Sequence, residues 1–131
     1  MQDVNSWVDV FGLSSAYEVD TYNNLKANDV VGDKLGNHHV PQKALAKTQV
    51  GGYPQTKLAG DAPAIRLPDA EHAEITRAQS KNKVARSKMS PEDLLKDDID
   101  MLRKNTNAPE SSIDKLKKMN KDKYKIDVGC H

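Results

Sequence analysis

Residues 36–49, GNHHVPQKALAKTQ, followed at residues 63–72 by PAIRLPDAEH, decide the fold of this 131-residue chain. Gly36 and Asn37 are turn residues, and the residue before Pro41 is biased away from the helical region, so His38, His39 and Val40 read as extended. Pro41 suits the first turn of a short helix through Ala44 and Ala46. Residues 50–62, VGGYPQTKLAGDA, are rich in Gly and Pro and form a loop. In the PAIRL strand, Ala64 and Arg66 fall on one face and Ile65 and Leu67 on the other. Pro68, Asp69 and Glu71 belong in the first turn of a helix that runs to about Gln79 and carries His72 near its start. Extended His pair, short helix, loop, strand and helix make a mixed α+β unit.

Working outward, residues 17–35 give a short extended piece at Tyr17 and Val19, one or two helical turns around Tyr22 and Leu25, and Val30 and Val31 closed by Gly32. Residues 1–16 show no sustained period and read as an irregular leader. Downstream, residues 80–89, SKNKVARSKM, are basic, almost without apolar content, and predict a linker. Ser90 is an N-cap before Pro91, Glu92 and Asp93, and Leu95, Ile99 and Leu102 repeat at i, i+4, i+7, so an amphipathic helix runs to about Lys104. Asn105 to Pro109 breaks it. A second helix carries Ile113, Leu116 and Met119 to about Asn120, which predicts a C-terminal helical hairpin.

At 37% apolar, 5% aromatic and 30% charged residues, the composition predicts one domain with a small core. No apolar run approaches the roughly 20 residues that cross a bilayer, so no membrane span is expected. Cys130 is the only cysteine, which excludes an internal disulfide and a cysteine-rich zinc site. The net charge of +1 hides an asymmetry: residues 1–80 hold seven Lys/Arg against ten Asp/Glu, residues 81–131 thirteen against nine. Only the second half offers a surface to a polyanion.

Of the four histidines, His131 is terminal, His38 and His39 are adjacent on the extended segment, and His72 stands on a helix. Adjacent side chains of a strand point to opposite faces, so one imidazole of the pair can bind a metal ion while the other faces a different partner. Imidazole is a good ligand for a divalent ion and a competent general base near neutral pH. The same pair in a Gly/Asn/Pro loop is also compatible with ordinary surface residues. No serine or cysteine nucleophile is supported, and Gly51-Gly52 lacks the Lys-Ser/Thr of a phosphate loop.

The opening NSWVDVFGLSS (5–15) resembles the end of the Rhs (rearrangement hotspot) core, a polymorphic-toxin shell that commonly closes on W-V-D-P-L-G-L before a variable toxin. Here Val10 stands for the Pro and Phe11 for the Leu. The resemblance implies cleavage after Leu13, with Asp9 in the cleavage site, so that residues 1–13 belong to the shell and residues 14–131 form the toxin domain. Over residues 30–124, GDKLGNHHVPQK, Gly52-Tyr53, APAIRLPDAEH, DLLKDDIDMLRKNTNAP and NKDKY occur in the order and spacing of one group of Rhs C-terminal toxins. That group is similar to HNH/endonuclease VII nucleases, whose ββα-metal finger places a His pair on a strand and another ligand on the following helix.

The resemblance implies an α+β fold with a small ββα-metal finger core, and a metal-dependent endonuclease acting on DNA. Carried onto this chain, His38 binds the ion, His39 is the general base and His72 is the helical ligand. Asp69 and Asp61 are the choices for a further ligand, since one turn after His72 stands Thr76, a poor one. The implied ion is Mg2+ foremost, with Zn2+, Ni2+ or Mn2+ as alternatives. Lys43, Lys83, Arg86 and Lys88 are the expected phosphate contacts. Implied partners are DNA or RNA, a cognate immunity protein and the shell before release; implied export is by a secretion system, type VI for such proteins, with action in the target-cell cytoplasm. Two alternatives stay open: a metal-independent ribonuclease using the same histidines as acid and base with Lys34 or Lys43 on the phosphate, and a non-enzymatic binding module.

Overall fold

A computed structural model of the chain describes residues 16–30 and 32–129. The expectations for residues 1–13, including Asp9 and Leu13, and for Val31, Cys130 and His131 lie outside them. The described residues form a mixed α and β protein: six helices and a small three-stranded antiparallel sheet in the order β1-β3-β2. β1 (Val19–Thr21) leads directly into α1 (Tyr22–Ala27), capped by the Thr21 hydroxyl on the Asn24 N–H. β2 (Leu35–His39) precedes α2 (Lys43–Gln49), and β3 (Pro63–Pro68) precedes α3 (Asp69–Lys81). Then come α4 (Lys83–Arg86), α5 (Pro91–Asn105) and α6 (Glu110–Tyr124). Among these residues no helix is long and apolar enough to cross a membrane.

The central strand is buried on both faces, as PAIRLP between two partners requires. Ile65 and Leu67 join Ile75, Leu95, Ile99, Leu102, Ile113 and Leu116 in the core under α3, α5 and α6. Arg66, on the opposite face, is 1% exposed. Its guanidinium donates to the Leu25 carbonyl at 2.6 Å and to Glu18 at 2.9 Å, which ties α1 across the sheet. As expected, α5 starts at Pro91, with the Ser90 hydroxyl accepting from the Asp93 N–H at 3.1 Å.

Two expectations are corrected. Pro41 is outside α2, because the carboxylate of Asp98 takes the Gln42 N–H at 2.7 Å and supplies a tertiary cap there. The basic segment 80–89 is no linker: α3 runs on to Lys81, α4 follows, and the Gln49 amide donates to the carbonyls of Arg86 and Met89. As expected, two helices follow one another across residues 106–109, joined by the Arg103–Glu110 ion pair at 2.8 Å; beyond that link α5 packs on α3, and α6 packs on β3 and β1.

Arg86, expected on phosphate, is instead fully buried. It pairs with Asp97 and with Asp98, the latter at 2.6 Å, and donates to the Gln42 side chain at 2.9 Å. Lys83 and Lys88, its neighbours in sequence, are exposed. Removing one partner of a buried pair strands the other, at a cost of about 3–5 kcal/mol. Urea unfolding of Arg86→Ala is therefore expected to show a loss of that size, and Lys83→Ala and Lys88→Ala changes within about 0.5 kcal/mol. Equal midpoints for all three variants would remove Arg86 from the core.

Candidate functional site

The site is built on β2 and the start of α3. β2 pairs antiparallel with β3, His38 opposite Ile65 and His39 opposite Ala64. Strand alternation then turns His38 to the face covered by α3 and His39 to the face covered by α1. α3 begins at the end of β3, which brings His72, in its first turn, over β2.

His38 and His72 meet edge to face, with ring centroids 5.2 Å apart and planes at 65°. His38 is 6% exposed, and its Nε2 is buried with no hydrogen-bond partner among the described residues. α3 comes close to β2 at Gly36: a Cβ there would lie 3.1 Å from Nδ1 of His72 and 3.6 Å from Oδ1 of Asp69. Asp69 thus stands beside His72 at the edge of the site.

His39 stacks on Tyr22 of α1, with centroids 4.5 Å apart and planes within 13°. Its Nε2 lies 3.2 Å from the Ala59 carbonyl oxygen. In the tautomer that satisfies this carbonyl, Nε2 carries the proton and Nδ1 is the basic atom.

A cleft of about 210 Å³ opens here, lined by His38, His39, His72 and Lys43 together with Asn37, Gln42, Thr76 and Gln79. Lys43 is held at it by donation from Nζ to the Lys57 carbonyl at 3.1 Å. Thr76 is occupied otherwise, its hydroxyl donating to the His72 carbonyl. Asp61 is exposed and does not line the cleft; its charge is felt by Tyr124 of α6. Lys88 does not line it either, while Lys83 borders an adjoining recess that shares Gln42, Ala44 and Gln79.

Burial sets the protonation of all three imidazoles. It pushes His38 down to about 3, with the neighbouring His72, His39 and Arg86 acting in the same direction. It lowers His39 and His72 as well, the Asp69 carboxylate opposing the change at His72. Neutral imidazoles keep the lone pair that a metal ligand or a general base needs.

A divalent ion fits this arrangement on one observation, the unpartnered buried Nε2 of His38 in a ring that meets a second imidazole. Among the described residues no group of three His, Cys, Asp or Glu side chains is close enough to cage an ion. The donors at hand are the two imidazoles, with Asp69 beside them. Sequence reasoning passed over Gln42, Gln79 and Asn37. A signal existed for Gln79, because His72, Thr76 and Gln79 repeat at i, i+4, i+7 and give α3 one polar stripe. None existed for Gln42, whose placement depends on Asp98, distant in sequence.

Comparison of the chain with protein-family models, with curated proteins and with solved structures gives no match.

His38 also sets a pH dependence of stability. Its folded value lies below the 6.5 of the unfolded chain, so below pH 6.5 the unfolded state binds a proton that the folded state refuses. The stability is present above pH 6.5 and drains as the pH falls toward about 3. The expected slope for this imidazole approaches about 1.4 kcal/mol per pH unit. Urea unfolding of wild type and His38→Gln at a series of pH values checks it: the difference between the two must change across that window, and parallel curves would refute it.

Proposed function

We propose that this chain is the C-terminal toxin domain of an Rhs polymorphic toxin and acts as an endonuclease of the HNH/endonuclease VII kind. On this reading β2, β3 and α3 are its ββα-metal finger. The observation that carries the reading is the buried, unpartnered Nε2 of His38, whose ring meets that of His72, on the strand that also holds His39 against the Ala59 carbonyl.

His38 and His72, with Asp69 beside them, would hold a divalent ion, Mg2+ foremost. When bound, the ion supplies Lewis-acid stabilisation of charge on the phosphate and on the leaving 3′ oxygen. The protein's own part is proton transfer and positioning. Nδ1 of His39 takes a proton from a water as its oxygen attacks phosphorus. The carbonyl of Ala59 holds the ring in the required tautomer and stabilises its charged form, and Tyr22 fixes the ring plane. Lys43, at the cleft, faces the phosphate anion. Export by a secretion system, an immunity protein in the producer and release from a shell after Leu13 belong to the same proposal.

Digestion of plasmid DNA and total RNA, with Mg2+ and with excess EDTA, tests it. Cleavage of DNA that needs Mg2+ is expected. His39→Ala, which removes the base, is expected to lower the rate by about 10²–10⁴-fold. His38→Ala and His72→Ala should raise the Mg2+ concentration needed. Full activity in EDTA on RNA would replace the metal mechanism by acid–base ribonuclease chemistry on the same histidines. Unchanged activity of His39→Ala would take His39 out of the reaction.

A further inference from the structure

The cleft continues past Gln79 into a second recess of about 230 Å³, completed by Leu45, Ser80 and Lys83. Its lining is chemically divided. Ala44 and Leu45 of α2 give it an aliphatic wall, Gln42 and Gln79 give it amide groups, and Lys83 at the start of α4 brings an ammonium group to it.

The amides are fixed rather than free to rotate. Asp98, buried, accepts the Gln42 N–H at 2.7 Å and a Gln79 Nε2–H at 3.3 Å. Arg86 holds the Gln42 Oε1 at 2.9 Å. With Oε1 held, Gln42 has its Nε2 hydrogens left to donate; with Nε2 engaged, Gln79 has Oε1 left to accept. Donors and an acceptor beside an aliphatic wall suit the polar edge and the flat face of a nucleobase. An ammonium group beyond them suits a phosphate.

Resting on the nuclease reading, we propose that this recess is the subsite for the nucleotide next to the scissile phosphate. Its base lies on Ala44 and Leu45, its edge meets Gln42 and Gln79, and its outer phosphate meets Lys83. A recess of about 230 Å³ is matched to one ring system rather than to a base pair. The nucleotide must therefore be unpaired, which makes single-stranded nucleic acid the favoured substrate class over duplex.

The test uses the full chain and a short fluorescein-labelled DNA single strand, the same strand in a duplex, and bis(4-nitrophenyl) phosphate. Fluorescence anisotropy in EDTA, where cleavage does not intervene, is expected to show about tenfold tighter binding of the single strand than of the duplex. Leu45→Trp, which fills the recess, should erase that preference. Lys83→Ala, at an exposed position, should weaken single-strand binding in the same direction and serves should the tryptophan variant not fold. With Mg2+, the ratio of single-strand to diester cleavage should fall in both variants. Equal binding of single strand and duplex by wild type, or single-strand binding unchanged in both variants, would overturn the subsite. Failure of wild type to cleave either the strand or the diester would overturn the nuclease reading instead, because the binding measurements do not depend on catalysis.

Discussion

The buried carboxylate of Asp98 is the constraint on which the candidate site depends. One oxygen caps α2 at Gln42; the other accepts from Arg86 and from Gln79. Four helices, α2 to α5, are thus referred to one side chain on α5, and two of them form walls of the cleft. Such a group is a poor device for stability alone, since desolvating two charges offsets most of their attraction. Aliphatic residues of equal volume would hold the helices together about as well. They would not fix the side-chain amides of Gln42, held by Arg86, and of Gln79, held by Asp98, both of which line the cleft.

The second constraint is the pleat of β2. Because consecutive side chains leave a strand on opposite faces, two adjacent histidines are divided between two environments with no further design. His38 goes under α3, where desolvation keeps it neutral and its Nε2 is left without a partner. His39 goes under α1, where Tyr22 and the Ala59 carbonyl determine its plane and its tautomer. A shift of register by one residue against β3 would exchange the two roles. The pairing of His38 with Ile65 and of His39 with Ala64 therefore decides which imidazole meets α3 and which meets α1.

What was legible in the sequence is what short-range physics determines. Ser90-Pro91-Glu92-Asp93 specifies a helix start within four residues, and α5 begins where it says. The alternation of His38 and His39, and the position of His72 in a first turn, also follow from local geometry. Arg86 was not legible, because SKNKVARSKM has the composition of a solvated linker; only Asp97 and Asp98, a helix away, show that its charge is compensated inside. The stripes of α5 and α6 say that each buries a face, but not against what. That α5 meets α3 and α6 meets β3 and β1 depends on the sheet, whose Ile65 and Leu67 lie in one core with Ile99, Leu102, Ile113 and Leu116. Asp61 looked like a ligand by its place in the loop before β3, but it does not line the cleft.

Gly36 marks a close approach of α3 to β2. A Cβ there would lie 3.1 Å from Nδ1 of His72, so that the imidazole would have to shift by a few tenths of an ångström, while the Asp69 carboxylate at 3.6 Å would be in ordinary contact. The ring that would have to move is the one that meets His38, with centroids 5.2 Å apart. Turn preference alone does not account for a glycine inside β2, where it weakens the strand. The close approach of the His72 imidazole does, since a residue without a Cβ leaves that ring its place over β2.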